Sequence, residues 1–235
     1  MCGRFTMTVD PAQLRDAFPW LDIREDWTPR FNIAPTQPVA VVPNRGDNRL
    51  DFFRWGLIPS WAKDPAIGNR LINARAETLA EKASFRNAFR RRRCLVLADG
   101  FYEWKTEAGS KRKQPMYIRL KTGQPFGFAG LWEIWNSPDG SEVLSCTIIT
   151  TEPNALVREI HNRMPVILQN EDYQIWLSPG EENSKKTDSL LKPFNPNLME
   201  AYPVSKYVNN PKNESSECIQ PLPSFPNQRW SATNE

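Results

Sequence analysis

The chain has 235 residues and is 40% hydrophobic, which allows a substantial core in one large domain or two small ones. Its net charge of +3 is too weak to indicate a nucleic-acid partner. The sequence has no apolar run of about 18 residues and no signal-peptide core. We therefore expect no membrane contact and a cytoplasmic, nucleoid-associated location. Four scattered cysteines and a single histidine argue against a disulfide framework, a zinc ribbon or a histidine-based metal site, and no cofactor is expected.

The first five residues read Met1-Cys2-Gly3-Arg4-Phe5. Because the side chain at position 2 is small, we expect an aminopeptidase to remove Met1, which leaves Cys2 with a free amine beside its thiol. Such an aminothiol condenses with an aldehyde to an imine and then closes a thiazolidine ring, and both groups ionise near neutrality, with pKa values of about 8 and about 8.5. The alternative is that Cys2 is an accident of initiation.

The next elements follow from turn and proline signals. Asp10 and Pro11 begin a short helix that ends near Pro19. Residues 27–38 contain three prolines and predict an ordered extended loop, followed by strands at 39–43 and 50–55.

Residues 55–61 join Trp55 and Trp61 through a bent segment that contains Pro59. Aromatic side chains on such a segment are more often lids over a core than stacking platforms. The alternative is a rigid apolar wedge that holds unstacked bases apart.

Residues 73–77 alternate polar side chains with alanine, so an extended segment would place Asn73, Arg75 and Glu77 on one face. A helix is predicted over residues 80–91, with its phenylalanines buried and its arginines outside. The arginine block at 90–93 suits either a solvated basic face or contacts to phosphate and bases.

Residues 94–98 form a short apolar run that predicts a buried strand, and residues 99–104 continue it. This places Glu103 among large aromatic side chains. Glu103 is then either a satisfied polar residue at a strand edge or a carboxyl whose pKa burial raises toward neutrality.

A polar hairpin loop is expected at 106–114, and strands are expected at 116–120, 126–135 and 142–151. Successive antiparallel strands at this spacing predict a barrel-like or strongly curved sheet. The fold class is therefore α+β, a single compact domain over residues 2–222 with peripheral helices.

A helix that begins at Asn154 ends at His161, which is the only histidine of the chain. A lone histidine is usually a surface or structural residue, but here it is also the default proton shuttle. A strand at 166–168, helices at 172–177 and 184–191, and a strand at 199–204 follow. The polar tail, residues 223–235, is expected to be disordered.

Six motifs of this sequence occur together in one known family. They are Met-Cys-Gly-Arg-Phe at 1–5, Phe-Asn-Ile-Ala-Pro-Thr at 31–36, Trp-Gly-Leu-Ile-Pro-Ser-Trp at 55–61, Asn-Ala-Arg-Ala-Glu-Thr at 73–78, Asp-Gly-Phe-Tyr-Glu-Trp at 99–104 and His-Asn-Arg-Met-Pro at 161–165. In residues and order, this set resembles the SRAP (SOS response-associated peptidase) family of abasic-site processing proteins.

The resemblance implies a positively charged groove for single-stranded DNA and a covalent link between Cys2 and an abasic site. It implies that Asn73 positions the adduct and that Glu103 and His161 transfer protons. DNA contacts are expected from six residues: Arg4, Pro35, Trp55, Trp61, Arg75 and Arg163. The expected partner is single-stranded DNA with abasic sites, including single-strand/duplex junctions, and the expected state is a monomer.

Two other classes remain open at this point. One is an N-terminal-nucleophile amidohydrolase, whose cysteine would attack an amide. The other is a single-stranded DNA-binding protein that forms no covalent bond. A protease activity is expected only as self-removal of the N-terminal residues.

Overall fold

The computed structural model describes residues 2–24, 26–107, 109, 112–179 and 184–223. The tail predicted to be disordered, residues 223–235, lies outside the described residues except for residue 223, so the boundary at 222 and the disorder stay predictions. The strands are β1 (Arg4–Met7), β2 (Arg30–Ile33), β3 (Pro38–Pro43), β4 (Asp51–Trp55), β5 (Asn73–Arg75), β6 (Arg93–Ala98), β7 (Gly100–Thr106), β8 (Lys113–Leu120), β9 (Phe126–Asn136), β10 (Glu142–Thr151), β11 (Met164–Pro165) and β12 (Met199–Pro203). The α-helices are α1 (Pro11–Ala17), α2 (Arg86–Arg91), α3 (Ala155–Arg158), α4 (Tyr173–Trp176) and α5 (Ser184–Ser189).

Five of the strands close into a barrel. Strand β9 pairs with both β6 and β10, and the ring is completed through β4 and β3. All of these pairs are antiparallel except β10 with β4. Two short strands, β5 and β11, extend the barrel wall along β10. The expected barrel-like, mostly antiparallel core is thus confirmed.

A second sheet packs on the barrel. Its five strands run in the order β12-β8-β7-β1-β2, and every pair is antiparallel. The Phe5 ring of β1 lies 5.0 Å from Trp55 and 5.8 Å from Phe128, measured between ring centroids. These edge-on aromatic contacts join the open sheet and the barrel into one core.

The predicted continuous strand over 94–104 is wrong, because the chain leaves the barrel at Asp99 and enters the open sheet as β7. Asp99 accepts hydrogen bonds from Thr6 Oγ1 at 2.5 Å and from the backbone N–H of Thr8 at 2.6 Å. At Gly100 a Cβ atom would lie 2.2 Å from the Tyr117 hydroxyl, so only glycine fits there. This corner fixes β1 against β7.

The extended loop predicted at 27–38 contains a strand, β2, that the three prolines concealed. A C-terminal strap, residues 205–222, covers this strand. Asn32 is fully buried, and its Nδ2 donates to the carbonyl oxygens of Val208, Asn210 and Asn213 at 2.9 to 3.1 Å. The Glu214 carboxylate accepts the backbone N–H of Phe31 and of Asn32.

Two further predictions need correction. The helix expected at 80–91 is only α2, because residues 80–85 form turns. The strand expected at 166–168 is instead β11, two residues earlier, and Ile167 makes only an isolated bridge to Phe128. In the described part of the chain, no helix combines the length and apolar character that crossing a membrane requires.

Candidate active site

Cys2 lies just before β1 and is fully buried. Its backbone carbonyl oxygen accepts a hydrogen bond from Asn73 Nδ2 at 2.8 Å. Asn73 is the first residue of β5, which pairs in parallel with β10 and so ties this contact to the barrel wall. Among the described residues, the other amide atom, Asn73 Oδ1, is buried and has no hydrogen-bond partner. The Asn73 side chain therefore holds the Cys2 backbone and still offers an acceptor.

Glu103 lies on β7, next to β1, and is 2% exposed. Burial raises the pKa of its carboxyl to about 7, because removal from water disfavours the charged form. Of the two interpretations that the sequence left open, the structure favours the titratable carboxyl.

His161 faces this carboxyl from the barrel side, with its Nε2 atom 3.9 Å from Glu103 Oε2. Asn154 caps the short helix α3 that delivers it, accepting the Val157 N–H at 2.9 Å. Burial is the main cause that lowers the pKa of the imidazole below its ordinary 6.5.

The backbone of Arg163 determines the tautomer of His161. Its N–H donates to Nδ1 at 3.1 Å, and because an N–H can only donate, the neutral ring carries its proton on Nε2, toward Glu103. The carbonyl oxygen of the same residue lies 3.2 Å from Nδ1 and can accept from the protonated ring. The turn thus holds the Nδ1 side of the ring and leaves Nε2 toward Glu103.

The electrostatics of the site link Cys2 to Glu103. Burial raises the pKa of the Cys2 thiol well above its ordinary value, and the negative charge of Glu103 is the second cause. The pKa values of Glu103 and His161 are shifted toward each other, upward and downward respectively. Such a pair can exchange a proton near neutral pH, which is the requirement for general acid-base catalysis.

Two of the expected DNA-binding arginines bind protein groups instead. Arg4 is half-buried, and its Nη1 donates to Asn32 Oδ1 at 2.6 Å and to the Val208 carbonyl at 2.9 Å. Arg163 makes a two-pronged ion pair with Glu77, at 2.7 and 3.0 Å. A DNA phosphate would have to compete with these contacts. Arg75, by contrast, is exposed on the strand that carries Asn73.

The two tryptophans of residues 55–61 have different environments. Trp55 is fully buried and its indole N–H donates to the Ile72 carbonyl at 2.9 Å, so a direct DNA contact by Trp55 is incompatible with the structure. Trp61 is 57% exposed and is available for stacking. Pro35 is partly exposed at the end of β2.

The arginine block at 90–93 is not a uniform basic face. Arg93 is 1% exposed, and its guanidinium donates to the carbonyl oxygens of Phe89, Arg90, Trp176 and Ser178. Arg92 forms an ion pair with Glu133 at 2.8 Å. Arg93 is therefore a structural residue, and the sequence alone does not distinguish it from the other arginines of the block.

Sequence reasoning also missed the anchoring roles of Asn32 and Asp99. Both occur within the quoted motifs, but their partners lie about 90 to 180 positions away in the chain. In the portion of the chain that the structure describes, no group of three or more histidine, cysteine or carboxylate side chains is placed to hold a metal ion.

The fold and this site define a mixed α+β protein with a buried cysteine just before its first strand and, in the same site, a buried glutamate 3.9 Å from a histidine. The same fold occurs in a crystal structure of a Bacteroides thetaiotaomicron protein, with a TM-score of 0.80, 27% identity, and coverage of 94% of this chain and 100% of the other. A phage-related protein from Bordetella bronchiseptica matches with a TM-score of 0.68 and 28% identity over 86% of this chain and 94% of the other.

Residues 1–211 match the family model described as SOS response associated peptidase (SRAP). The chain is 48% identical over 226 residues to the abasic site processing protein YoqW of Bacillus subtilis, covering 94% of this chain and 99% of the relative. It is 31% identical over 270 residues to the abasic site processing protein HMCES of Rattus norvegicus, covering 94% and 76%. The protein belongs to the SRAP family.

Proposed function

We propose that this protein processes abasic sites in single-stranded DNA by forming a thiazolidine cross-link through Cys2 after removal of Met1. The observation that carries the proposal is the convergence of Cys2, Asn73, Glu103 and His161 at one site, where Cys2 and Glu103 are buried. The names of the relatives, abasic site processing proteins, supply the substrate class.

The open form of an abasic deoxyribose exposes an aldehyde at C1′. The Cys2 amine adds to this carbon and forms a carbinolamine, which then loses its hydroxyl group as water to leave an imine. The thiol sulfur adds to the imine carbon while the thiol proton passes to nitrogen. One N–C bond and one S–C bond form, and one water molecule is released overall.

Glu103 is the general acid for the loss of water, because a carboxyl with a pKa of about 7 is still largely protonated just below neutrality. His161 receives or supplies the second proton through Nε2. Asn73 holds the Cys2 carbonyl and directs Oδ1 to accept from the attacking amine or the sugar hydroxyl. The thiol has a raised pKa, so it keeps its proton until that proton passes to the imine nitrogen as the sulfur adds.

Ring closure gives the cross-link its stability. An imine alone hydrolyses or promotes strand cleavage by β-elimination, whereas the thiazolidine has no iminium to drive elimination. The cross-link therefore shields the abasic site from strand cleavage. In its chemical type the protein is an enzyme of the lyase or hydrolase kind, and its peptidase-like activity is the removal of its own N-terminal residues.

In this proposal Arg75, which is exposed two residues after Asn73, pairs with a phosphate, and the exposed Trp61 stacks on a base. Pro35, which is partly exposed, supplies an apolar contact. Arg4 or Arg163 joins only if a phosphate displaces its present protein partners. The protein acts as a monomer.

The decisive experiment mixes the processed protein with an oligonucleotide that contains one abasic site. Intact-mass analysis should show protein plus DNA minus one water, and the complex should survive boiling in SDS. A non-covalent DNA-binding protein would release the DNA under these conditions, and an amidohydrolase would instead hydrolyse glutamine. The control is protein that retains Met1, which should form no thiazolidine because its cysteine lacks a free amine.

A further inference from the structure

The main chain of Arg163 holds His161 directly. Its N–H and its carbonyl oxygen both lie within 3.2 Å of the imidazole Nδ1 atom. The orientation of the ring, and the proton that it presents to Glu103, therefore depend on where the backbone of residue 163 lies.

The side chain of Arg163 is fixed from the opposite end by Glu77. Nη1 and Nη2 reach the two carboxylate oxygens at 2.7 and 3.0 Å, the two-pronged geometry in which such pairs are strongest. Nη2 also donates to the Thr150 carbonyl at 2.6 Å. The hydrogen bonds from Arg163 lower the pKa of Glu77, so the pair is ionised at neutral pH.

These contacts join two segments that carry site residues. Glu77 lies in the short 3-10 turn Ala76–Thr78 that follows Asn73 and Arg75 on β5. Thr150 of β10 stands opposite Arg75 on one side and Pro165 of β11 on the other. The ion pair therefore spans β10 and connects the Asn73 segment to the His161 turn.

We propose that Glu77 is a positioning residue: through its ion pair with Arg163 it fixes the turn that carries His161, and it thereby sets the tautomer and orientation of the imidazole that faces Glu103. The consequence for cross-linking rests on the proposed function, but the state of His161 is measurable without DNA. The Glu77 side chain is 52% exposed, and Arg163 keeps its hydrogen bond to the Thr150 carbonyl when the carboxylate is removed, so we expect the variant to fold with a released turn.

Because the chain has a single histidine, long-range proton–nitrogen NMR correlations report only His161. At alkaline pH the unaltered protein should show the Nε2–H tautomer alone. Glu77→Ala should give a mixture of tautomers and slow cross-linking by about 10- to 100-fold, the range expected when a reacting group is displaced by an ångström or less. Glu77→Gln keeps an acceptor oxygen for Arg163, so it should restore part of the Nε2–H tautomer population and part of the cross-linking rate.

The matched control is Glu81→Ala. Glu81 is exposed and lines the same acidic cleft as Glu77, together with Glu152 and Asp188. If Glu77 acted only by repelling the DNA backbone, both alanine variants would speed up cross-linking equally. Under the proposal, only Glu77→Ala slows it, and Glu81→Ala leaves the His161 signals unchanged.

An unchanged His161 tautomer in Glu77→Ala would overturn the proposal, whatever happens to the cross-linking rate. An altered tautomer with an unchanged cross-linking rate would overturn the part of the proposal that concerns cross-linking. The reaction would then not depend on the orientation and tautomer of His161. Failure of the unaltered protein to cross-link would refute the proposed function instead, and the NMR comparison would still decide whether Glu77 positions His161.

Discussion

The two ends of strand β1 each lie beside a buried carboxyl group, and the two carboxyls have opposite surroundings. At the far end, Asp99 accepts hydrogen bonds from Thr6 Oγ1 and from the N–H and Oγ1 of Thr8, at 2.5 to 2.6 Å. At the Cys2 end, burial raises the pKa of Glu103 to about 7, with His161 3.9 Å away.

These two residues are four positions apart in one motif, and both are nearly excluded from water. Three hydrogen-bond donors from Thr6 and Thr8 make Asp99 an anchor that sets the register of β1. Burial raises the pKa of the Glu103 carboxyl to about 7, so it gains and loses a proton near neutrality. One motif therefore carries both an anchor for β1 and a carboxyl suited to proton transfer.

The largest expected effect is at Cys2, which lies just before β1. Cys2→Ala keeps an N-terminal amine but lacks the sulfur, so the stable adduct should disappear completely while imine-type strand cleavage remains. Intact-mass analysis of reactions with abasic DNA checks this. Cys218→Ala, which removes a buried cysteine of the strap, is the control and should cross-link normally. A stable adduct of protein plus DNA minus one water in Cys2→Ala would remove the thiazolidine mechanism.

Glu103→Gln should slow cross-linking by about ten- to ten-thousand-fold, the range for loss of a general acid or base. In the proposed mechanism the protonated carboxyl is the acid, so the part of the rate that depends on it should fall as the pH rises through about 7. The glutamine variant should lack this step in the profile. Rates measured from pH 5.5 to 8.5 test both statements, and matching profiles would exclude Glu103 as the acid.

The same pKa shift predicts an effect on stability. Because the folded-state pKa of Glu103 is raised from 4.5 to about 7, its protonation stabilises the folded protein below pH 4.5, and this contribution is lost as the pH rises to about 7. Glu103→Gln should thus be more stable than the unaltered protein at pH 8 and about equal at pH 4.5. Urea unfolding at the two pH values measures this, and greater stability of the unaltered protein at pH 8 would contradict it.

Asp99→Ala should lower the free energy of unfolding by about 2–4 kcal/mol, because it removes charge-assisted hydrogen bonds and leaves buried donors unsatisfied. Asp51→Ala removes a partly exposed carboxylate paired with Arg45 and should cost less than about 1 kcal/mol. Urea unfolding compares the two. Equal losses would show that the Asp99 contacts do not anchor β1.

The smallest effect is expected at the surface. Arg75→Ala should weaken binding of single-stranded DNA several-fold and reduce the salt slope of the binding constant by about 1, as expected for one lost phosphate contact. Arg24→Ala, which removes an exposed arginine paired with Asp22, is the matched control. Titrations at several salt concentrations decide between a phosphate contact and a general charge effect, which would lower affinity equally in both variants.

Much of the sheet structure is predictable from sequence, because strands β8 to β10 are rich in β-branched and aromatic residues and lie between clear turn signals. The break at Asp99 was not, since residues 94–104 are almost continuously apolar and only the distant Thr6 and Thr8 reveal the corner. The prolines around β2 concealed a strand that pairs with β1 and whose Asn32 side chain binds the distant strap.

The motifs identified the candidate site residues but could not supply their environments. The sequence placed Trp55 and Trp61 in one segment, and only packing shows that the first is core and the second is surface. Likewise, Arg163 was expected at DNA because nothing local indicates that Glu77, 86 positions away, engages its guanidinium. Predictions for side chains fail where long-range partners decide their roles.

The contact between Arg4 and the strap has a consequence for the order of events during synthesis. Arg4 donates to the carbonyl of a residue 204 positions later in the chain. At a ribosomal rate of roughly 5–20 residues per second, about 10–40 s pass between the appearance of the two partners. The strap therefore attaches to β1 only after residue 208 has been synthesised, although β1 is the first strand to be made.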